Sequence, residues 1–232
     1  MRRCGMEIIE AIKTRKSIRA YKPDPVPAGL IREILDIATH APSSVNSQPW
    51  EFYIITGELL SGLKNAYVEQ VISGKPPNPE IAMPQQKGSA PGLEGIYRER
   101  QVTLAKQLFK LLGITKEDKD KLGEWHQKAY RFYDAPAVIV CVIDRILTGA
   151  WPLVDIGVIA YSITLTAMHY GLGTCIMRGI VDYPDQLRKM VNIPDSKQTV
   201  VGVAIGYPDL EHPANKLVTE RELIDGIVTV VD

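Results

Sequence analysis

The chain has 232 residues, 45% of them hydrophobic, with 27 Lys/Arg balanced by 27 Asp/Glu. That length and apolar content suit one large domain or two small ones, and zero net charge removes electrostatic support for nucleic-acid or membrane-surface binding. Cys4, Cys141 and Cys175 are widely spaced, show no metal-ligand spacing, and read as reduced thiols of a cytoplasmic protein.

Residues 6–14 place Ile8, Ile9, Ala11 and Ile12 at helical spacing. Glu7 and Glu10 interrupt anything like a signal sequence's apolar region. The helical pattern gives out in Thr14-Arg15-Lys16-Ser17-Ile18-Arg19. On an extended exit, Arg15, Ser17 and Arg19 alternate and face one way, two guanidinium forks and a hydroxyl suited to a phosphate dianion. The same cations would also offset a helix C-terminus. Pro23, Pro25 and Pro27 force a non-helical connection, and residues 28–41 form a second amphipathic helix that stops before Pro42. The loop Ala41-Pro42-Ser43-Ser44-Val45-Asn46-Ser47-Gln48-Pro49-Trp50 follows, a cluster of short polar side chains between stiff prolines, leading into a strand at 51–56.

Residues 58–72 read as a third helix. Residues 74–95 then hold five prolines and four glycines, too long a loop for a mere connector. A helix at 96–112 closes at Gly113, and Thr115 with Asp118 predicts a capping-box start for another, running to about Arg131. Together, residues 74–131 look like a lid inserted between core elements. Residues 137–143 are an unbroken apolar run, hence a central strand. Residues 153–170 are helical in period and apolar almost all round, which predicts a core helix rather than a membrane span, with Asp155 as an ordinary acid in its first turn. A short helix at 184–191, a strand at 199–206 and a β-prone end at 227–231 complete the chain.

The combination R-x-S-x-R at 15–19 and A-P-S-S-x-N-x-Q-P-W at 41–50, before a strand and about 25 residues apart, resembles the nitroreductase family of flavin enzymes. Gly171-Leu172-Gly173-Thr174 resembles that family's turn at the close of its central helix. Pro213-Ala214-Asn215-Lys216 through Arg221 resembles its closing run, with Val218 where many members carry arginine. The resemblance covers essentially the whole chain. It implies a single α+β domain over 1–232, a central mixed sheet packed by helices, and an intertwined homodimer with two FMN sites at the subunit interface. It also implies FMN as bound cofactor and NAD(P)H as electron donor. Arg15, Ser17, Arg19 and Arg221, with Lys216 less directly, are then expected at the phosphate and ribityl chain, and Lys16 with Arg15 near the pyrimidine edge. Ser43, Ser44 and Asn46 would come from the other subunit, and Pro42 and Gln48 of the same loop are expected at the cofactor as well. Ile176, Met177, Arg178 and Gly179 would run past the flavin ring. The insertion at 74–131 would cover it.

On this reading no side chain needs to act as general acid or base, because hydride transfer is largely positioning. The expected reaction is ping-pong reduction of nitroaromatic or quinone-like acceptors. Reductive dehalogenation, flavin modification and flavin binding without turnover remain alternatives on the same fold. The deiodinase relatives' Glu-x-x-x-Tyr pair is absent from this sequence. The four histidines are isolated, so no metal site is expected. Eleven Lys/Arg against seven Asp/Glu leave the lid at +4, and Arg98 and Arg100 are expected to favour anionic ligands such as nitrobenzoates if their helix borders the cleft.

Overall fold

The computed structural model describes residues 7–81 and 93–231. Cys4, Met6 and part of the proline-rich loop, including Pro84, Lys87 and Pro91, lie outside them. Helices α1 (Ile8–Thr14) and α2 (Ala28–Ala38) precede strand β1 (Glu51–Thr56) and helix α3 (Gly57–Ile72). Helices α4 (Gly95–Leu112) and α5 (Lys119–Tyr130) follow, then β2 (Ala137–Asp144), α6 (Trp151–His169), β3 (Gly173–Met177), α7 (Pro184–Val191) and β4 (Lys197–Gly206).

The sheet order is β1-β2-β4-β3 and every pair is antiparallel. The parallel component of the expected mixed sheet is reduced to one bridge among the described residues, Ser17 to Thr174, where the exit from α1 runs beside β3. β2 is buried from Ala137 to Ile143, as its apolar run requires. Alternate β2 residues divide the core. Val138, Val140 and Val142 face α3, α7 and the aromatics Tyr67, Phe132 and Tyr183, whereas Ala137, Ile139, Cys141 and Ile143 face α2 and α6. Period-two alternation in a strand covered on both sides accounts for this.

Two glycines let the chain approach the sheet closely. A Cβ on Gly173 would collide with Ile18 of the α1 exit, and one on Gly202 would overlap Ile180 of the turn after β3. Both close approaches bring site-bearing segments onto β3 and β4.

Several expectations change. The Gly171–Cys175 stretch is not only a turn: β3 begins at Gly173, a five-residue strand with too little apolar pattern to announce itself. Residues 227–231 make no strand; they lie exposed after a short turn at Ile224–Gly226. An edge-prone segment stays unpaired when no strand of its own chain is within reach. Asp155 does not serve the first turn of α6. It is buried, and its Oδ1 accepts the Ser44 backbone N–H at 3.1 Å. α6 has the length and apolarity of a membrane-crossing helix. Its Ile156, Ile159 and Ile163 pack against the sheet and α2, but Trp151 is 69% exposed and Val154 and Tyr161 also face outward. The all-round apolarity is thus covered on one side only within a single chain.

Candidate active site

The α1 exit is extended, as the alternation predicts. Arg15 has φ −54° and ψ 127°, Ile18 and Ala20 turn inward, and Ile18 N–H donates to the Thr174 carbonyl at 2.9 Å. Ser17 and Arg19 line one cavity with Cys175 of β3, and the charge of Arg15 also acts on that thiol. Burial pushes the Cys175 thiol above its usual range, against Arg19, a hydrogen bond with Ser17, and Arg15. One extended segment therefore presents two cations and a hydroxyl to one spot.

Asn215 fixes that segment. Its Oδ1 accepts the Arg19 backbone N–H at 2.7 Å, and its Nδ2 donates to the carbonyls of Ala20 (2.8 Å) and Asp209 (2.7 Å). Its own carbonyl accepts from the Lys16 ammonium, so Lys16 is tied to the tail rather than standing with the other two cations. Buried amides with every group paired hold backbone in one shape.

Ser17 and Arg19 line a cavity of about 290 Å³ together with Tyr130, Tyr133, Met177, Arg178, Gly179 and Asp182. Tyr130 closes α5. Tyr133 follows through three consecutive residues with positive φ: Phe132 at 56°, Tyr133 at 54° and Asp134 at 60°. Non-glycine residues held there cost about 1–3 kcal/mol each. The turn is retained by Phe132, fully buried edge-on against Tyr67, and by Arg131 Nε donating to Asp134 at 2.8 Å. Its result is that Phe132 fills the core while Tyr133 lines the cavity with Arg19, and burial pushes the Tyr133 hydroxyl above its usual range against the charge of Arg19.

On the opposite wall, β3 runs through Ile176 and Met177 into a 3₁₀ turn at Arg178–Val181. Ile176 is exposed and Met177 buried, and no heavy atom lies within 4 Å of where a Cβ on Gly179 would sit, so that backbone is open to a ligand. Asp182 is 1% exposed. Its Oδ2 accepts from the Tyr130 hydroxyl at 3.1 Å and from Arg178 Nη2 at 3.2 Å, while its Oδ1 is buried with no partner among the described residues.

The other predicted residues lie elsewhere in the single chain. Pro42, Ser43, Ser44, Asn46 and Gln48 sit on a loop at α6, where Ser43 Oγ accepts Gln48 N–H at 3.0 Å. Val45, Asn46 and Gln48 all have positive φ, and Val45 is 95% exposed, a β-branched residue in a strained turn aimed at solvent. Lys216 is exposed beside Glu211 at 3.7 Å. Arg221 bonds Thr219 and the Glu220 carbonyl in a separate cavity of about 750 Å³ between α4 and the tail. Arg100 lines that second cavity, paired with Glu222 at 2.7 Å, and Arg98 donates to Gln101. The lid arginines thus do not border the cavity of Arg19. Sequence reading did not single out Tyr130, Tyr133, Asp182 or Asn215. Of these, only Asn215 stood inside a quoted motif.

A family model described as "Nitroreductase family" matches residues 12–207. A 4-nitrobenzoate reductase of Nocardioides sp. (strain LMS-CY) is 30% identical, covering 97% of this chain and 90% of that protein. A nitrobenzene nitroreductase of Ectopseudomonas oleovorans is also 30% identical, covering 97% and 96%. Among solved structures, the FMN-dependent nitroreductase NfnB from Mycobacterium smegmatis in complex with NADPH superposes with a TM-score of 0.87 at 25% identity, covering 97% of each chain. The FMN and NADPH-dependent NfnB from "sphigopyxis sp. strain HMH" gives 0.88 at 28%, covering 98% of this chain and all of that one.

Proposed function

The chain belongs to the nitroreductase family, and from that premise we propose that this FMN-dependent NAD(P)H oxidoreductase reduces nitroaromatic or quinone-like acceptors by a ping-pong mechanism. The observation that carries the reading is that Ser17 and Arg19, on the extended exit that also holds Arg15, line one cavity with the open backbone of Gly179.

The donor set fits FMN. Arg15, Ser17 and Arg19 offer charge-assisted hydrogen bonds to the phosphate and ribityl oxygens. Residues 176–179 and the rings of Tyr130 and Tyr133 line a partly apolar space. Bound there, FMN would supply the two-electron redox chemistry between nicotinamide and acceptor. The chain's own part is to bind, orient and exclude water. Asn215 and Gly173 fix the height and register of the Arg15–Arg19 segment. The left-handed turn at 132–134 aims Tyr133, and α5, the nearer half of the proposed 74–131 lid, brings Tyr130 over the space.

The active unit is a homodimer. The uncovered face of α6, the exposed Ile8, Ile9 and Ile12 of α1, and the apolar tail at 223–231 together expose more apolar surface than a monomer normally leaves to water. A second copy covering it brings its own strained Ser43–Gln48 loop, and with it Ser44 and Asn46, toward the partner's cavity. Pro42, Lys216 and Arg221 enter the site on the same terms. Relatives named for nitrobenzoate and nitrobenzene support the acceptor class.

Initial rates test the mechanism. With NADPH and 4-nitrobenzoate varied together, double-reciprocal lines are expected to run parallel, since donor and acceptor use one face in turn. Intersecting lines would contradict it.

A further inference from the structure

Arg178 makes a single ion pair among the described residues, to Asp182, through one terminal nitrogen. Its side chain is 35% exposed where it lines the cavity, and Asp182 stands behind it at 1%. The remaining N–H groups of the fork are thus open beside the aromatic wall of Tyr130 and Tyr133. The carboxylate behind is poorly served. Both of its donors fall on Oδ2, and Oδ1 is buried without any. A buried, half-solvated carboxylate holds its proton more readily than a free one. The other groups facing it are phenols rather than cations: Tyr130 from α5, Tyr67 from α3 and the neighbouring Tyr183. Arg178 is therefore the charge on which the ionised form of Asp182 depends.

We propose that Arg178, 35% exposed at the solvent edge of this cavity, binds the carboxylate of an aromatic ligand there, outside the space assigned to FMN, and that Asp182, released from the ion pair, takes one proton from solvent onto its carboxyl group in the same event. The incoming anion replaces the outgoing one at the guanidinium, so the charge buried in the cavity wall is unchanged. Burial already holds the Asp182 carboxyl above its usual range, against Arg178 and Tyr130, and removing Arg178 raises it further. The inference rests on the functional reading above and deepens it: the acceptor class is an aryl carboxylate, selected by Arg178 rather than by Arg98 or Arg100. The backbone of 176–179 remains the flavin-facing part of the segment.

Benzoate is the probe, titrated into FMN-loaded protein by calorimetry between about pH 5.5 and 8 in buffers of different ionisation enthalpy. Proton uptake is expected on binding, with affinity falling by up to about tenfold per pH unit where Asp182 ionises. Asp182→Asn should bind benzoate at least as tightly at the alkaline end, with no pH dependence and no proton uptake. Arg178→Gln should bind it about ten- to a hundredfold more weakly. Wild-type binding that is absent or independent of pH overturns the proposal, as does an unchanged proton uptake in Asp182→Asn. Flavin absorbance is read in the same samples. Protein that takes no FMN counts against the functional reading alone, and the benzoate titration of that protein still decides the Arg178–Asp182 exchange.

Discussion

At the residue scale, Arg19 and Asn215 do different things to one end of the site, and substitution separates them. Arg19 carries charge to the cavity, while Asn215 is fully buried and pairs three backbone groups of two segments. Arg19→Ala is expected to weaken FMN binding about ten- to a hundredfold, the value of one charge-assisted contact, with little change in melting temperature. Asn215→Ala leaves buried backbone groups without partners and should lower stability by about 2–4 kcal/mol as well as weaken FMN. Equal melting temperatures for the two variants would show that Asn215 does not hold the segment. Flavin titration and thermal unfolding of both proteins give the comparison.

At the scale of elements, the loop that leaves α3 is pinned at Glu80, inside the proposed 74–131 lid. The Glu80 carboxylate accepts from Thr199 N–H (2.7 Å), the Thr199 hydroxyl (2.6 Å) and Arg188 (2.9 Å), and also pairs with Arg145. Burial raises its pKa, but the Thr199 hydrogen bonds and Arg188 outweigh it, so the net shift is downward. A carboxylate lowered in the folded state contributes stability above its unfolded pKa and loses it as pH falls through the folded value. Glu80→Gln should therefore be less stable than the wild type at neutral pH, with the difference shrinking below the ordinary glutamate range. A gap that persists or grows in acid, measured by denaturant unfolding across pH, would contradict the assignment. Glu80 also illustrates what the sequence makes legible. The helices, the buried strand β2 and the R-x-S-x-R exit follow from local periodicity and were read within a few residues. Arg188 on α7 and Thr199 on β4 lie over a hundred residues from Glu80 and Arg145 lies 65 away, and no local pattern announces any of them. β3 escaped because five residues leaning on neighbours need no apolar run of their own. Tyr133 reaches the cavity only through a left-handed turn without a glycine to signal it, and Asp182 reads as a surface acid until Tyr130 and Arg178 are seen on it.

At the scale of the whole molecule, the single chain leaves one side of α6, all of α1's isoleucines and the tail uncovered. Light scattering on the purified protein should give a dimer. Val154→Glu, which places a charge on the open face of α6, should shift it toward monomer and release FMN, because the Ser43–Gln48 loop then leaves the partner's site. A monomer with full flavin occupancy would contradict this. The central claim, that the Arg15–Arg19 face and the Gly179 turn hold a flavin that cycles between nicotinamide and acceptor, is tested most directly by anaerobic spectroscopy of the FMN-loaded protein. NADPH or NADH should bleach the flavin absorbance, and 4-nitrobenzoate added afterwards should restore it without a further donor. Protein that cannot be loaded with FMN, or bound flavin that neither nicotinamide bleaches, would contradict the account.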